Sequence, residues 1–364
     1  MADEGRIGVA RVTLQTIADR VGVSRMTVSN AFSRPDQLSP ALRARILSTA
    51  EELGYAGPDP AARALAKGST GAIGVLLTDS LQVAFTDEFA TGFLAAVSGA
   101  LAPTGLALTL LTTSPQQHAV IPARDVAIDG ALIYSCDPSS AATAWLRRRN
   151  LPMVLVDQAP ETGVPSVNID DRGGARLAAQ HVLGLGHRRV AILSSSAIGP
   201  FGRLSTTQLE GLSNTTRARL GGWLDALVPA GVSPVILQQR PYQPEVDAAA
   251  ARELLAMPER PTAVLCFSDA IARTMVRIAQ QSGLRVPEDL SVVGFDDSPL
   301  ATRLEPALTT IHQDVAAKGS AAVEALTAEI RRRSSAGADR STAEEVLLPT
   351  RLVIRDSTGP VPQS

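Results

Sequence analysis

The chain has 364 residues, a length that fits two or three domains, and 45% of them are hydrophobic, enough to bury a sizeable core. Its formal net charge of −2 excludes a surface that is basic throughout. Cys136 and Cys266 lie in apolar runs, which argues against a disulfide and against a cysteine metal site. The amino terminus lacks the apolar core of a secretory signal, and no apolar run is long enough to span a membrane. We therefore expect a cytoplasmic protein without a bound metal.

Positive charge is concentrated near the amino terminus. Residues 11–67 carry eight Lys or Arg against five Asp or Glu, a net of +3, so the remainder carries −5. A basic end on an acidic body favours contact with nucleic acid at that end, although chance clustering would give the same count.

Residues 12–32, VTLQTIADRVGVSRMTVSNAF, predict two short helices joined at Gly22. Thr13 is a candidate cap for the first helix and Ser24 for the second, and apolar residues recur in both at helical spacing. Gly22 supplies the positive φ that a tight turn requires.

A third helix is predicted from Ser39, a candidate cap, through Pro40 at the first helical position, to Gly54. Three short helices with a glycine turn between the first two are typical of a helix-turn-helix, whose second helix fits the major groove of DNA. Further along, Asp59 and Pro60 predict the start of one more short, alanine-rich helix.

The rest of the chain alternates short apolar runs with alanine-rich helical segments. Seven such runs are predicted strands: 72–78, 107–113, 130–135, 152–157, 189–195, 263–268 and 290–296. Alternating strands and helices predict parallel sheets covered on both faces, here divided into two doubly wound lobes. Ligands of such sheets bind at the carboxyl ends of the strands.

The stretch from Val12 to Thr70 resembles the DNA-binding head of LacI/GalR family transcription regulators, through VTLQTIADRVGVSRMTVSNAF, SPALRARILSTAEELGY and PAARALAKGST. Four later motifs, LGHRRVAIL, PTAVLCFSDAIA, GLRVPEDLSVVGFDDSPLA and PALTTIHQD, resemble the family's sugar-binding-protein-like core. The resemblance implies an α/β fold: a three-helix helix-turn-helix head and hinge helix, then a two-lobed parallel-sheet core of the type I periplasmic-binding-protein kind.

Domain boundaries follow from this resemblance. We expect the DNA-binding domain at 11–58, a hinge helix and linker at 59–70, and a core for effector binding and dimerisation at 71–356. The lobes are expected at about 71–168 with 309–333 (amino-terminal) and at about 169–308 with 342–356 (carboxyl-terminal).

The resemblance implies a sequence-specific regulator, a repressor of carbohydrate uptake or catabolism genes, whose operator affinity is switched by a sugar or sugar derivative bound between the lobes. Its partners would be pseudo-palindromic double-stranded operator DNA, the effector and a second copy of the chain, in a dimer or a tetramer. No cofactor and no membrane are implied. The effector is either an inducer or a corepressor.

The resemblance also implies which residues contact DNA: Thr13, Ser24, Arg25, Met26, Thr27, Ser29, Asn30 and Leu65. Arg25, Met26 and Asn30 are expected to read bases, while threonine and serine side chains hold phosphates. Leu65 resembles the family's leucine that wedges into the minor groove, and packing of the hinge onto the body is its alternative.

The implied effector site consists of Asp79, Phe89, Asp157, Arg219, Tyr242, Ser268, Asp269 and Asp296. Asp269 and Asp297 are equally well explained as helix caps. Arg217 competes with Arg219, and Tyr242 also fits packing at the edge of a lobe.

The chain departs from the family pattern beside this site. Residues 198–215, IGPFGRLSTTQLEGLSNT, form an insertion, and Ser268 replaces the usual asparagine. Two other functions have the same carboxylate-rich cleft: a glycosidase with paired carboxylates, and an exported sugar-binding protein. The DNA-binding head argues against the first and the lack of a signal peptide against the second, and no catalytic or nucleotide-binding motif is present.

Overall fold

The structure is a computed structural model that describes residues 12–57, 59–77, 81–112, 121–135, 140–205, 207, 209–241, 243–334 and 343–362. The chain divides into two compact units, a head of residues 1–70 and a core of residues 71–364. None of the helices within the described ranges is long and apolar enough to cross a membrane.

The helices are α1 Leu14–Val21, α2 Arg25–Ser33, α3 Pro40–Glu52, α4 Pro60–Lys67, α5 Leu81–Thr86, α6 Glu88–Leu101, α7 Pro122–Asp125, α8 Ala141–Arg148, α9 Asp171–Gly184, α10 Asn214–Leu227, α11 Pro244–Leu255, α12 Asp269–Gln281, α13 Pro299–Arg303 and α14 Val315–Ser334. The strands are β1 Ala72–Leu77, β2 Ala107–Thr112, β3 Gly130–Tyr134, β4 Met153–Val156, β5 Ser166–Ile169, β6 Val190–Ser195, β7 Gly202–Leu204, β8 Val235–Gln239, β9 Ala263–Cys266, β10 Ser291–Val293, β11 Thr310–Gln313, β12 Glu345–Leu348 and β13 Thr350–Val353.

The three helices of the head begin and end where local sequence signals predict. Thr13 accepts a hydrogen bond from the Thr16 amide at 3.3 Å, and Ser24 accepts one from the Thr27 amide at 3.0 Å. Gly22 ends α1 with φ of 74°, which confirms the left-handed turn. The apolar faces of α1–α3 meet in one small core, whose fully buried members include Ile17, Val28, Ala31 and Ile46.

The predicted hinge helix is also confirmed, as α4. Asp59 accepts a hydrogen bond from the Ala61 amide at 2.8 Å, and Gly68 ends the helix with φ of 70°. At eight residues the helix is too short to be stable by itself in water. Leu65 on its surface is 87% exposed.

The first lobe contains a six-stranded parallel sheet in the order β12-β5-β4-β3-β1-β2. One face packs against α6 and α14, and the other packs against α7 and α8. Gly74 in β1 has no room for a side chain, because a Cβ there would lie 2.9 Å from Ile128 Cδ1.

The second lobe contains a five-stranded sheet in the order β10-β9-β6-β8-β7, in which only β7 is antiparallel. Its faces pack against α9 with α10 and against α11 with α12. The helices α9 and α10 approach closely at Gly222, where a Cβ would lie 2.1 Å from the Arg172 carbonyl oxygen.

The seven predicted strands are confirmed, and the structure adds β5, β7, β8, β11, β12 and β13. Two expected lobe boundaries are wrong. Residues 309–333 were expected in the amino-terminal lobe, whereas Thr309 and His312, at the strand β11, bridge to residues of the second lobe. Residues 342–356 were expected in the carboxyl-terminal lobe, whereas β12 pairs with β5 at the edge of the first sheet. Only β13 lies with β11, in a two-stranded antiparallel ribbon that borders the second sheet.

Candidate functional site

The outer face of α2 is the candidate DNA-binding surface. Val28 and Ala31 are buried against the rest of the head, which turns Arg25 and Met26 outward. Met26 is 70% exposed and adds an apolar side chain to this surface. The other expected DNA contacts of the helix-turn-helix are exposed or half-buried: Thr13, Ser24, Thr27, Ser29 and Asn30.

A residue that the sequence analysis missed lies beside this face. The Asn30 side-chain amide donates to Gln37 Oε1 at 3.2 Å, so the exposed Gln37 orients a residue expected to read bases. The seven-residue separation puts Gln37 outside the helical pattern that singled out α2.

Two arginines of the head also stabilise its fold. Arg45 donates to the carbonyl of Val21, the last residue of α1, and Arg43 donates to the Ala31 carbonyl near the end of α2 at 3.3 Å. Cations are favourable at helix carboxyl ends, because unpaired carbonyls carry partial negative charge there. Both arginines are exposed and keep their positive charge, so they stabilise the helix ends and still contribute to the basic character of the head.

In the core, unusual backbone conformations mark the carboxyl ends of strands. Ser135 after β3, Asp157 after β4 and Asp296 after β10 have φ of 48°, 55° and 111°. Residues other than glycine rarely adopt positive φ, and such strain concentrates at ligand-binding sites.

Arg219 on α10 is a buried member of this region. Its Nε donates to Asp171 at 2.8 Å, its Nη1 donates to the Phe267 carbonyl at 2.5 Å, and Nη1 lies 3.6 Å from Asp296 Oδ1. The guanidinium carbon is 3.6 Å from the centre of the Phe295 ring, within cation–π distance.

The competing Arg217 is exposed, and its guanidinium donates to Asn214 Oδ1 at 3.3 Å. The structure therefore places Arg219, and not Arg217, with Asp296. Burial raises the pKa of Asp296 well above its usual range, and burial likewise raises the pKa of Asp171. Although burial of Arg219 opposes its charge, the neighbouring carboxylates Asp171 and Asp296 raise its pKa.

Asp157 has a partner that the sequence analysis missed. Lys318 Nζ donates to both carboxylate oxygens of Asp157, at 2.8 and 2.7 Å, and to Gln313 Oε1 at 2.7 Å. The Gln313 amide in turn donates to Asp296 Oδ1 at 2.6 Å. Phe89 lies with its ring centre 5.1 Å from Lys318 Nζ.

We call Asp157, Arg219, Asp296, Gln313 and Lys318 the strand-end cluster. It joins the end of β4 in the first sheet to the end of β10 in the second, through the ribbon strand β11 and helix α14. In the sequence, Lys318 lies in the alanine-rich run VAAKGSAAV, which does not indicate a role at the site.

Two other expected effector residues are engaged within the protein. Asp269 is 1% exposed, and its carboxylate accepts from the Ser298 amide at 2.8 Å and from Thr310 Oγ1 at 2.6 Å. Burial raises the pKa of Asp269 to about 6. Ser268 caps α12 by accepting from the Ile271 amide at 3.3 Å.

The capping alternative for Asp269 and Asp297 is wrong by one residue, because Ser268 and Ser298 occupy the cap positions. Asp297 instead pairs with His312 at 2.9 Å and with Arg355 at 2.6 Å. Asp79 and Tyr242, also expected at the effector site, lie outside the described residues.

The insertion at 198–215 contributes part of the second lobe. It supplies the edge strand β7 and two buried core residues, Leu204 and Leu212. Ser196 ties its ends together, because its hydroxyl donates to the Ile198 carbonyl at 2.7 Å and accepts from the Ser213 amide at 3.2 Å.

Among the described residues, no group of three or more His, Cys, Asp or Glu side chains is placed to hold a metal ion.

The chain matches two family models. Residues 13–57 match bacterial regulatory proteins of the lacI family, and residues 179–358 match the periplasmic binding protein-like domain. The HTH-type transcriptional regulator IpsA of Corynebacterium glutamicum is 39% identical over 330 residues, which cover 86% of this chain and 90% of that protein.

Solved structures agree with this similarity. The transcriptional regulator CelR in complex with cellobiose is 29% identical, with a TM-score of 0.68 over 95% of this chain and 100% of that one. The lac repressor dimer bound to operator and the anti-inducer ONPF is 27% identical, with a TM-score of 0.76 over 96% of this chain and 99% of that one. The chain therefore belongs to the LacI family of bacterial transcriptional regulators, DNA-binding proteins with a helix-turn-helix head and a periplasmic-binding-protein-like core.

Proposed function

We propose that the protein represses genes of carbohydrate uptake or catabolism, and that a sugar bound at the strand-end cluster switches its operator affinity. The observation that carries the proposal is the joining of Asp157, Arg219 and Asp296, which come from facing strand ends and from the α10 helix, in one polar cluster.

The chemistry of this cluster suits a polyhydroxylated ligand. A hydroxyl group both donates and accepts hydrogen bonds, so it needs carboxylate acceptors such as Asp157 and Asp296 beside a donor such as Arg219. Phe89 adds an aromatic face against which the apolar side of a sugar ring packs. The similarity to a regulator solved with cellobiose supports this ligand class.

The head supports binding to a two-fold symmetric operator. A single short recognition helix reads only a few base pairs, and two heads on a dimer reach half-sites about one helical turn apart. The similarity to a repressor solved as a dimer on its operator supports this arrangement. The exposed Leu65 on α4 is available as a minor-groove wedge between the two half-sites.

The experiment is operator binding with the full-length protein and DNA from the region upstream of its own gene. We expect a specific shifted complex with a footprint of two half-sites, released or tightened by a sugar. A protein that binds this fragment no better than unrelated DNA of equal length would contradict the regulatory role.

A further inference from the structure

Lys318 is a cation with no exposed surface. Burying an ammonium group costs several kcal/mol unless its hydrogen bonds are replaced. Here all three donors of Lys318 are used, two on Asp157 and one on Gln313. Because all of these bonds go to members of the strand-end cluster, this one buried side chain holds the geometry of the cluster.

The contacts of Lys318 reach both carboxylates of the strand-end cluster. It holds Asp157 directly by both oxygens, and it holds Asp296 through Gln313, whose amide accepts from Lys318 and donates to Asp296 Oδ1 at 2.6 Å. An ionised carboxylate has about four acceptor sites. Since Lys318 occupies one site on each Asp157 oxygen, acceptor sites remain on both oxygens for ligand hydroxyls.

The charge balance indicates which ligand those sites accept. The strand-end cluster and the adjoining Asp171 contain three carboxylates and two cations, Arg219 and Lys318, and each cation is already within ion-pair distance of a carboxylate. A phosphorylated ligand would bring negative charge into a buried site whose two cations already lie against carboxyl groups, so no unpaired cation of the cluster would balance it, which is strongly unfavourable. An uncharged polyol adds only hydroxyls.

We propose that Lys318 is a positioning residue that sets the specificity of the effector site for an uncharged, polyhydroxylated ligand. It acts through Asp157 and Gln313, which it fixes, and not by contact with the ligand. This inference rests on the proposed function, since it concerns the same site.

The test compares Lys318→Met with Glu329→Gln. Methionine keeps the length of the side chain and removes its charge. Glu329 lies on the same helix, eleven residues or about 16 Å further along. It is 4% exposed and pairs with Arg332 and Arg333, so its loss removes two ion pairs away from the cluster. Release from the upstream DNA fragment is measured with cellobiose, glucose and ribose, each beside its phosphorylated form.

We expect the wild type to respond to an uncharged sugar and not to its phosphorylated form. Both substitutions should lower the melting temperature, but only Lys318→Met should weaken the response to that sugar, by about tenfold or more. A Lys318→Met protein that responds like Glu329→Gln would overturn the positioning role. A panel in which no uncharged member acts, or in which a phosphorylated member acts best, would overturn the ligand class.

Two further variants make the test independent of whether Lys318→Met folds. Asp157→Asn leaves the Lys318 charge without its carboxylate partner. The response of this variant to phosphorylated sugars, relative to its response to uncharged sugars, should therefore rise. Adding Lys318→Met to Asp157→Asn should abolish that rise, and a double variant that keeps it would contradict the inference. Specific DNA binding without any sugar is measured first, so that failure of the regulatory role is recognised separately from failure of this inference.

Discussion

The recognition face of the head and the strand-end cluster of the core present polar groups in opposite ways. On α2, Arg25 is exposed and Met26 is 70% exposed. In the core, Lys318 is fully buried and the Arg219 side chain is 5% exposed, and each is fixed by ion pairs and hydrogen bonds. The side chains on α2 are exposed to solvent, whereas those of the strand-end cluster are bonded to one another.

This difference indicates where binding energy comes from at each site. Exposed side chains on α2 gain from DNA by direct contact and by release of counterions, so each contributes separately. Members of a buried network share acceptors and charges, so the loss of one leaves others unsatisfied. The effects of substitutions in the head should therefore be nearly additive, whereas those in the strand-end cluster should depend strongly on one another.

The largest effect is expected for Asp296→Ala. It removes the acceptor of the Gln313 amide and a carboxylate 3.6 Å from Arg219, so sugar binding should weaken by about 2–5 kcal/mol. Operator binding without sugar should persist, because the head is a separate compact unit. Calorimetry of sugar binding beside a DNA-shift assay measures both. A normal sugar response in this variant would place the effector elsewhere.

Asp247 is a buried carboxyl group outside the strand-end cluster, and it tests what burial does to the free energy of unfolding. It is 8% exposed, and burial raises its pKa to about 6. Because this folded-state pKa lies above the unfolded value, Asp247 favours the folded state fully below about pH 4, and that contribution is lost as the pH rises through about 6. The loss amounts to about 3 kcal/mol.

Asp247→Asn should remove this part of the pH dependence of the free energy of unfolding. Urea denaturation at a series of pH values from acid to neutral measures it. Asp225→Asn is the matched control, since Asp225 is exposed in an ion pair with Arg172 and should leave the loss in place. If the free energy of unfolding of Asp247→Asn fell with rising pH as it does in the wild type, burial of Asp247 would not be the cause of that loss.

The head and the strand-end cluster also differ in how far the sequence predicts them. The head was predictable because its signals are local: Thr13 caps a helix through Thr16, three residues away. The strand-end cluster joins residues far apart, with Lys318 and Asp157 separated by 161 positions. The resemblance singled out Asp157 and Asp296, but it could not show that Lys318 and Gln313 connect them, nor that Asp269 has its carboxylate engaged within the protein.

The head should show smaller, separable effects. Arg25→Ala should lose a bidentate contact to guanine and with it about 1–3 kcal/mol of discrimination between operator sequences. Ser29→Ala should weaken all sequences about equally, because a phosphate contact carries no base information. Binding to a set of operators with single base changes distinguishes the two. Unchanged base preference in Arg25→Ala would mean that α2 lies in the groove in another register.

Leu65→Ala tests the hinge in the same way. Loss of the wedge and of the bend that it supports should weaken specific operator binding by about 1–2 kcal/mol, while non-specific binding, which is mostly electrostatic, should change far less. Amide exchange of residues 59–67 with and without operator reports whether α4 folds on DNA. Strong protection in the free protein would contradict ordering on binding.

The smallest effect is expected where a charge pair of the core is exposed like the residues of the head. Arg303 on α13 pairs with Glu88 on α6 at 3.1 Å across the two lobes, with the side chains 67% and 40% exposed. Exposed pairs contribute about 0–1 kcal/mol and are screened by salt. Glu88→Gln should therefore change sugar affinity by less than about 1 kcal/mol. That change should vanish at high salt, whereas the loss in Asp296→Ala should remain. Calorimetric titrations of both variants with sugar at low and high salt make the comparison. A large, salt-independent loss of sugar affinity in Glu88→Gln would show that location between the lobes, and not burial, determines the size of the effect.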